Sequence, residues 1–162
     1  MATLTLGTTQ NSIWSQDNTV DFSGQSFLAT AGDYTSATIN KQAKIGTGHV
    51  ISGSIQAGSA TAPDGTALAT FSSPTADVSG DFTYTLSSTI TLTGGGRYWV
   101  VMSASASGAN YNETGAESVS DNYTDGESRL KVSGVWGTWN KDFKMSLTYI
   151  ANSISSSISS SI

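Results

Sequence analysis

The chain has 162 residues, 12 of them acidic and 7 basic, for a net charge of −5, with no cysteine and one histidine. That is the size of one domain, without the material for a basic nucleic-acid face, a disulfide, a thiolate site or a histidine-rich metal site. No apolar run is long enough to cross a membrane as a helix, and roughly three residues in ten are Ser or Thr, which suits exposed strand faces and turns.

The first residues, Met1-Ala2-Thr3-Leu4-Thr5-Leu6-Gly7, carry neither the basic start nor the apolar stretch of a secretory leader. Synthesis in the cytoplasm is the expectation. Nowhere does an apolar i, i+3, i+4, i+7 pattern persist in good helix formers; alternation recurs instead. The first strand candidates in chain order are 3–6, 25–29, 37–45, 49–57 and 67–72. Ala62-Pro63-Asp64-Gly65 has the residue order of a tight turn. Phe82, Tyr84 and Leu86 sit at every second position, and Ile90 and Leu92 continue that parity. After Gly94-Gly95-Gly96, the run Arg97-Tyr98-Trp99-Val100-Val101-Met102 predicts a strand buried on both faces. Residues 103–127 lack alternation and are rich in Asn, Ser, Gly and acid. They predict a long loop with room for a short strand. A strand over 129–133 follows. Phe143, Met145, Leu147 and Tyr149 then alternate with Lys144, Ser146 and Thr148, one face for the core and one for water.

Eight or nine short strands with frequent turns and no helices predict an all-β antiparallel sandwich of jelly-roll type over residues 1–150. Its expected core includes Phe27, Ile39, Phe82, Tyr84, Tyr98, Val100, Phe143 and Leu147. A low-complexity Ser/Ile tail occupies 151–162. Ile154, Ile158 and Ile162 recur at every fourth position and form one stripe on a strand or a helix. One chain cannot bury that stripe, whereas three copies around an axis can, so a homotrimer is one expectation. A flexible Ser-rich linker is the other.

The residues give little for catalysis. There is no Gly-x-Ser-x-Gly nucleophile turn, and His49 is the lone imidazole, expected as a polar residue at a turn. Asp121, Asp125 and Glu127 are expected as solvated loop acids. Asp121 and Asp125, in Asp121-Asn122-Tyr123-Thr124-Asp125-Gly126, are also the candidate oxygen ligands for Ca2+, although the spacing is not that of an EF-hand. No other cofactor is expected. Tyr111, Tyr123, Trp136 and Trp139, with Asn112 and Asn122, are the candidate glycan contacts: aromatic rings stack on sugars while amides bond hydroxyls. Trp136 and Trp139 are three apart, so one can face the core and the other water. Asn112 and Asn122 also begin Asn-x-Thr sequons, which matter only in a glycosylating host.

The motif order runs Gln25-Ser26-Phe27, Tyr34-Thr35-Ser36-Ala37-Thr38-Ile39, Gly53-Ser54-Ile55-Gln56-Ala57, the Pro-Asp-Gly turn, Leu92 through Val101, a late Trp and a closing Phe-x-Met-x-Leu-x-Tyr. Over residues 20–150 this resembles the choice-of-anchor β-sandwich domains of bacterial surface proteins and phage virion or appendage proteins. The resemblance implies a jelly-roll-like module that displays or attaches something, and it supplies no catalytic residues. The expected function is a non-catalytic structural virion protein, a capsid decoration or a head or tail appendage component exposed on the particle surface. Its expected partners are capsid or appendage proteins, further copies of itself and a surface glycan, with neither nucleic acid nor membrane. The alternative is a carbohydrate-binding module or adhesin domain of a bacterial surface protein.

Overall fold

The computed structural model describes residues 1–8, 12–16, 22–45, 51–72, 80–104, 111–116 and 123–152, with the backbone alone at 12–16, 42–45, 104 and 111–116. The described residues form twelve strands and no helix. In chain order they are β1 (Ala2–Thr5), β2 (Ser12–Gln16), β3 (Phe22–Leu28), β4 (Gly32–Ile45), β5 (Ile51–Gly58), β6 (Pro63–Ser72), β7 (Gly80–Leu92), β8 (Arg97–Ala104), β9 (Tyr111–Ala116), β10 (Ser128–Val132), β11 (Val135–Thr138) and β12 (Met145–Ala151).

The pairing is antiparallel and nested. β1 pairs with β12, β2 with β9, β3 with β8, β4 with β7 and β5 with β6. The chain behaves as one long hairpin that has been folded over on itself. β10 and β11 are a local hairpin inserted into the returning arm, and β10 adds to the free side of β3. Two six-stranded sheets result. Without β2, β9 and the inserted hairpin, β1-β12-β4-β7 faces β3-β8-β5-β6, the eight-strand arrangement of a jelly roll. The protein is therefore an all-β, antiparallel jelly-roll sandwich.

The core lies between the sheets. Phe27, Val100, Met102, Ile55 and Phe71 come from the second sheet, and Tyr34, Ile39, Tyr84, Leu86, Met145 and Leu147 from the first. Of the expected core residues, Phe27, Ile39, Tyr84, Val100, Phe143 and Leu147 are buried, while Phe82 and Tyr98 are half-buried and pack against the cluster. β8 is covered on both sides, as its unbroken apolar run predicts. Val100 and Met102 face the core, whereas Trp99 and Val101 are buried on the outer face of the second sheet.

The structure departs from the sequence reading at four places. β4 starts at Gly32 because a bulge at Thr35 breaks its alternation: Tyr34 and Ala37 both point inward, and the register with β12 and with β7 shifts there. Ala62-Pro63-Asp64-Gly65 is not the reversal. The chain turns at Ser59–Ala62, where the Ser59 amide bonds the Ala62 carbonyl at 3.0 Å. Gly58 pairs with Pro63 and Gln56 with Ala67, so residues 64–66 bulge out of β6. β2 lies outside every strand expected from the sequence, whereas β9 is the short strand for which residues 103–127 left room. Finally, β11 exists because Ser133 and Gly134 both take positive φ, 52° and 85°, the conformation of a two-residue hairpin turn.

Phe143 is fully buried and packs against Trp139 with ring centroids 4.8 Å apart. Phe143→Ala should lower unfolding free energy by about 3–5 kcal/mol, measured as a reduced urea midpoint with an unchanged slope.

Candidate functional site

The inserted hairpin and the segments beside it are fixed by buried polar bonds. Gln25 projects from β3 into the interior. Its amide nitrogen donates to Asp142 Oδ1 at 2.9 Å, and its Oε1 accepts from the Phe143 amide at 3.2 Å. Asp142 Oδ2 accepts from the Tyr123 amide at 2.7 Å. Gln25 and Asp142 are both fully buried. Nearby, Ser26 Oγ accepts from the Glu127 amide at 2.7 Å, and one Arg97 nitrogen donates to Ser26 Oγ and to the Asp125 carbonyl. These bonds hold the approach to β10 and the exit from β11 against β3, so the hairpin continues the second sheet.

That sheet presents one residue from each strand in a straight row on its outer face. Cα pairing runs Ser72 to Ser52 to Ser103 to Phe22 to Lys131 to Trp136, across β6, β5, β8, β3, β10 and β11. A second row on the same face runs Thr70, Ser54, Val101, Gly24, Arg129 and Thr138. Hydroxyls dominate the β5–β6 end, where Ser52 and Ser103 bond each other at 3.2 Å. Aromatic rings dominate the hairpin end. Trp136 tilts against Trp99 at 6.3 Å, and Lys131 Nζ lies 5.4 Å from the Phe22 ring centroid and 5.9 Å from that of Trp136. Such cation–π contacts are worth about 0.5–1 kcal/mol at exposed sites.

Gly24 makes the aromatic end possible. A Cβ there would stand 3.2 Å from the Trp99 ring and 3.3 Å from that of Trp136. Trp99 is itself locked, because its indole nitrogen donates to the Ser59 carbonyl at 2.9 Å. The Pro-Asp-Gly bulge supplies one wall. Gln56 Oε1 accepts from the Gly65 amide at 3.0 Å, and the Gln56 amide nitrogen donates to Ser54 Oγ at 2.8 Å. The result is an open cleft with two lobes. One of about 540 Å³ lies over the hydroxyl end, and one of about 330 Å³ lies between Asp64, Lys131 and Trp136; Phe22, Gln56 and Val101 line both. A smaller cleft of about 220 Å³ on the first sheet holds Asp81. There the Asn40 amide and then Lys144, whose Nζ is 3.0 Å from the carboxylate, hold Asp81 below the usual carboxylate range.

The residues singled out from sequence do not gather at one place. Trp136 lies on the outer face. Trp139 sits on the other side, against Phe143, with Lys141 Nζ 5.5 Å from its ring centroid. Tyr123 packs at the core margin and hydrogen-bonds the Leu28 backbone. Tyr111 and Asn112 belong to β9, the short strand within 103–127, where they pair with Ile45 and Lys44 of β4. Asp125 is exposed on the turn before β10. Asp121, Asn122, His49, Ile154, Ile158 and Ile162 lie outside the described residues. Among the described residues no three His, Asp or Glu side chains come together as a metal site.

Sequence reasoning missed Phe22, Gln56, Asp64 and Lys131 as neighbours of Trp136. The available signals were small: Lys131 and Arg129 share parity in β10, and Phe22 and Gly24 share parity in β3. No family model matches the sequence, and no curated protein is similar to it. The choice-of-anchor resemblance therefore rests on motif order alone.

Burial pushes the Tyr34 hydroxyl up to about 12 and, as the leading cause, also raises that of Tyr123. In the unfolded chain a tyrosine ionises near pH 10. Above that pH the unfolded state releases protons that the native state retains, so stability is full below pH 10 and falls as pH rises toward 12. For Tyr34 alone this shift corresponds to about 3 kcal/mol. Urea midpoints from pH 8 to 11.5 should be level at first and then drop, with the loss reduced in Tyr34→Phe.

Proposed function

We propose that the chain is a non-catalytic attachment module displayed on the outside of a phage particle, as a capsid decoration or a head or tail appendage component. The observation that carries this reading is the nested pairing itself. It builds the jelly-roll scaffold that the motif resemblance implies, and jelly rolls serve as viral capsid and lectin domains. A scaffold does not fix a function, so the side chains supply the second support. The described acids with known partners are engaged structurally: Asp142 joins three segments, Asp81 is held by Asn40 and Lys144, and Glu127 pairs with Arg129 at 2.7 Å. The open cleft displays hydroxyls and rings, which bind rather than react.

A carbohydrate-binding module or adhesin domain of a bacterial surface protein is the second reading. The row that ends in Phe22, Lys131 and Trp136 favours it, and one face serves both readings. Mass spectrometry and immunogold labelling of purified particles discriminate between them. The virion reading expects the chain in the particles and on their surface. Capsid and portal genes beside its gene would agree, whereas a neighbouring hydrolase gene would favour the module. Screening against hydrolase and glycosidase substrates should give no turnover; turnover abolished by Asp121→Asn or His49→Ala would refute the non-catalytic reading.

Self-assembly belongs to the same proposal. Ile154, Ile158 and Ile162 together offer about 4.5–9 kcal/mol if fully buried, less than the roughly 12 kcal/mol or more needed to order the twelve tail residues. A trimer therefore also needs contacts between sandwiches or with the particle. Light scattering should give a trimer for the full chain and a smaller species for a chain ending at Asn152. A full chain that stays monomeric at high concentration makes the tail a linker.

A further inference from the structure

We propose that the outer face of the second sheet, along Ser72, Ser52, Ser103, Phe22, Lys131 and Trp136, is a binding groove for a carbohydrate chain. This inference rests on the reading of the protein as a binding module and names the ligand class of its open face.

Shape comes first. The row crosses six strands, which at about 4.8 Å per strand is roughly 24 Å between its ends. The two lobes join through Phe22, Gln56 and Val101. An elongated open trough suits a linear chain better than a compact ligand. The lining comes second. Sugars present apolar C–H faces and hydroxyl edges, and the groove offers aromatic rings at one end and hydroxyls at the other. Lys131 and Asp64 place one charge of each sign at the aromatic lobe, where they can bond ring substituents.

Other occupants fit less well. A nucleic acid needs a net positive track, and Lys131 shares this lobe with Asp64. An added peptide strand binds through an open sheet edge, but the groove lies over the face of a sheet whose strands are already paired. An apolar protein surface would have to bury the Ser52, Ser72 and Ser103 hydroxyls.

The groove is also built before any ligand arrives. Trp99 and Gly24 fix the tilt of Trp136, and Gln56 is tied to Ser54 and Gly65. Pre-organisation of this kind lowers the ordering cost of binding.

Affinity electrophoresis of the full chain through gels containing xylan, mixed-linkage β-glucan, polygalacturonate or bacterial lipopolysaccharide tests the proposal. At least one polymer should retard the protein. Trp136→Ala should weaken that retardation by about tenfold, and Ser52→Gln, which lays a longer side chain across the floor, should weaken it without removing a ring. Thr83→Ala, exposed on the first sheet, should change nothing. Equal thermal midpoints would confirm that both groove variants remain folded. Retardation only by polygalacturonate, lost in Lys131→Ala, would narrow the ligand to acidic chains. No retardation by any polymer, or undiminished retardation in both groove variants, overturns the groove. A chain found on particles but retarded by no polymer sinks the groove and leaves the attachment reading standing. Cleavage of a polymer would instead sink that reading.

Discussion

The buried carboxamide of Gln25 is the interaction on which the assembly of this sandwich turns. It reaches from β3 of the second sheet to Asp142 and Phe143, the residues that lead the chain into β12 of the first. Through Asp142 it also reaches Tyr123. Three chain segments far apart in sequence thus meet at one side chain in a place without solvent. Leaving any of these groups without its partner would cost about 1–3 kcal/mol or more, so the arrangement is specified as well as stabilised. The β10–β11 hairpin lies between two of those segments and inherits their position.

The position of the hairpin decides what the outer face can be. Without it, the second sheet would end at β3, and Trp99 would lack one of its covers. With it, the sheet gains two strands, and Trp136 comes into register with Lys131 and Phe22, its ring beside Gly24. The aromatic end of the face is a consequence of a Ser-Gly turn, a glycine in β3 and a buried polar link. None of these is itself a ligand contact. The opposite wall arises similarly: a bulge in β6, held through Gln56, brings Asp64 to the cleft.

The first sheet serves a different end. It contributes Tyr34 and Tyr84 to the aromatic core, Tyr34 stacked on Tyr149 at 5.0 Å and Tyr84 stacked on Phe71 of the opposite sheet at 5.7 Å. Its described outer residues, such as Thr38 and Thr83, bond each other at 2.8 Å and form a plain polar surface. The asymmetry follows from topology. The inserted hairpin extends the sheet that contains β3 and brings the Trp136 ring to its outer side.

The amino-acid sequence by itself determined the fold class, because alternation at Phe82, Tyr84 and Leu86 and at Phe143, Met145 and Leu147 has a period only a half-buried strand can use. It also determined that β8 is covered twice, since no solvent-facing strand carries Tyr98 through Met102 unbroken. It separated Trp136 from Trp139 in principle, because residues three apart on an extended chain face opposite ways. Tertiary structure alone decided which of the two faces outward, that Tyr123 and Trp139 pack along the core, and that residues 64–66 form a bulge. It also decided that Ser72, Ser52, Ser103, Phe22, Lys131 and Trp136 form a line. Those six residues share no spacing along the chain. Their alignment comes from five separate strand registers, and each register is set by turns, bulges and buried bonds elsewhere in the molecule.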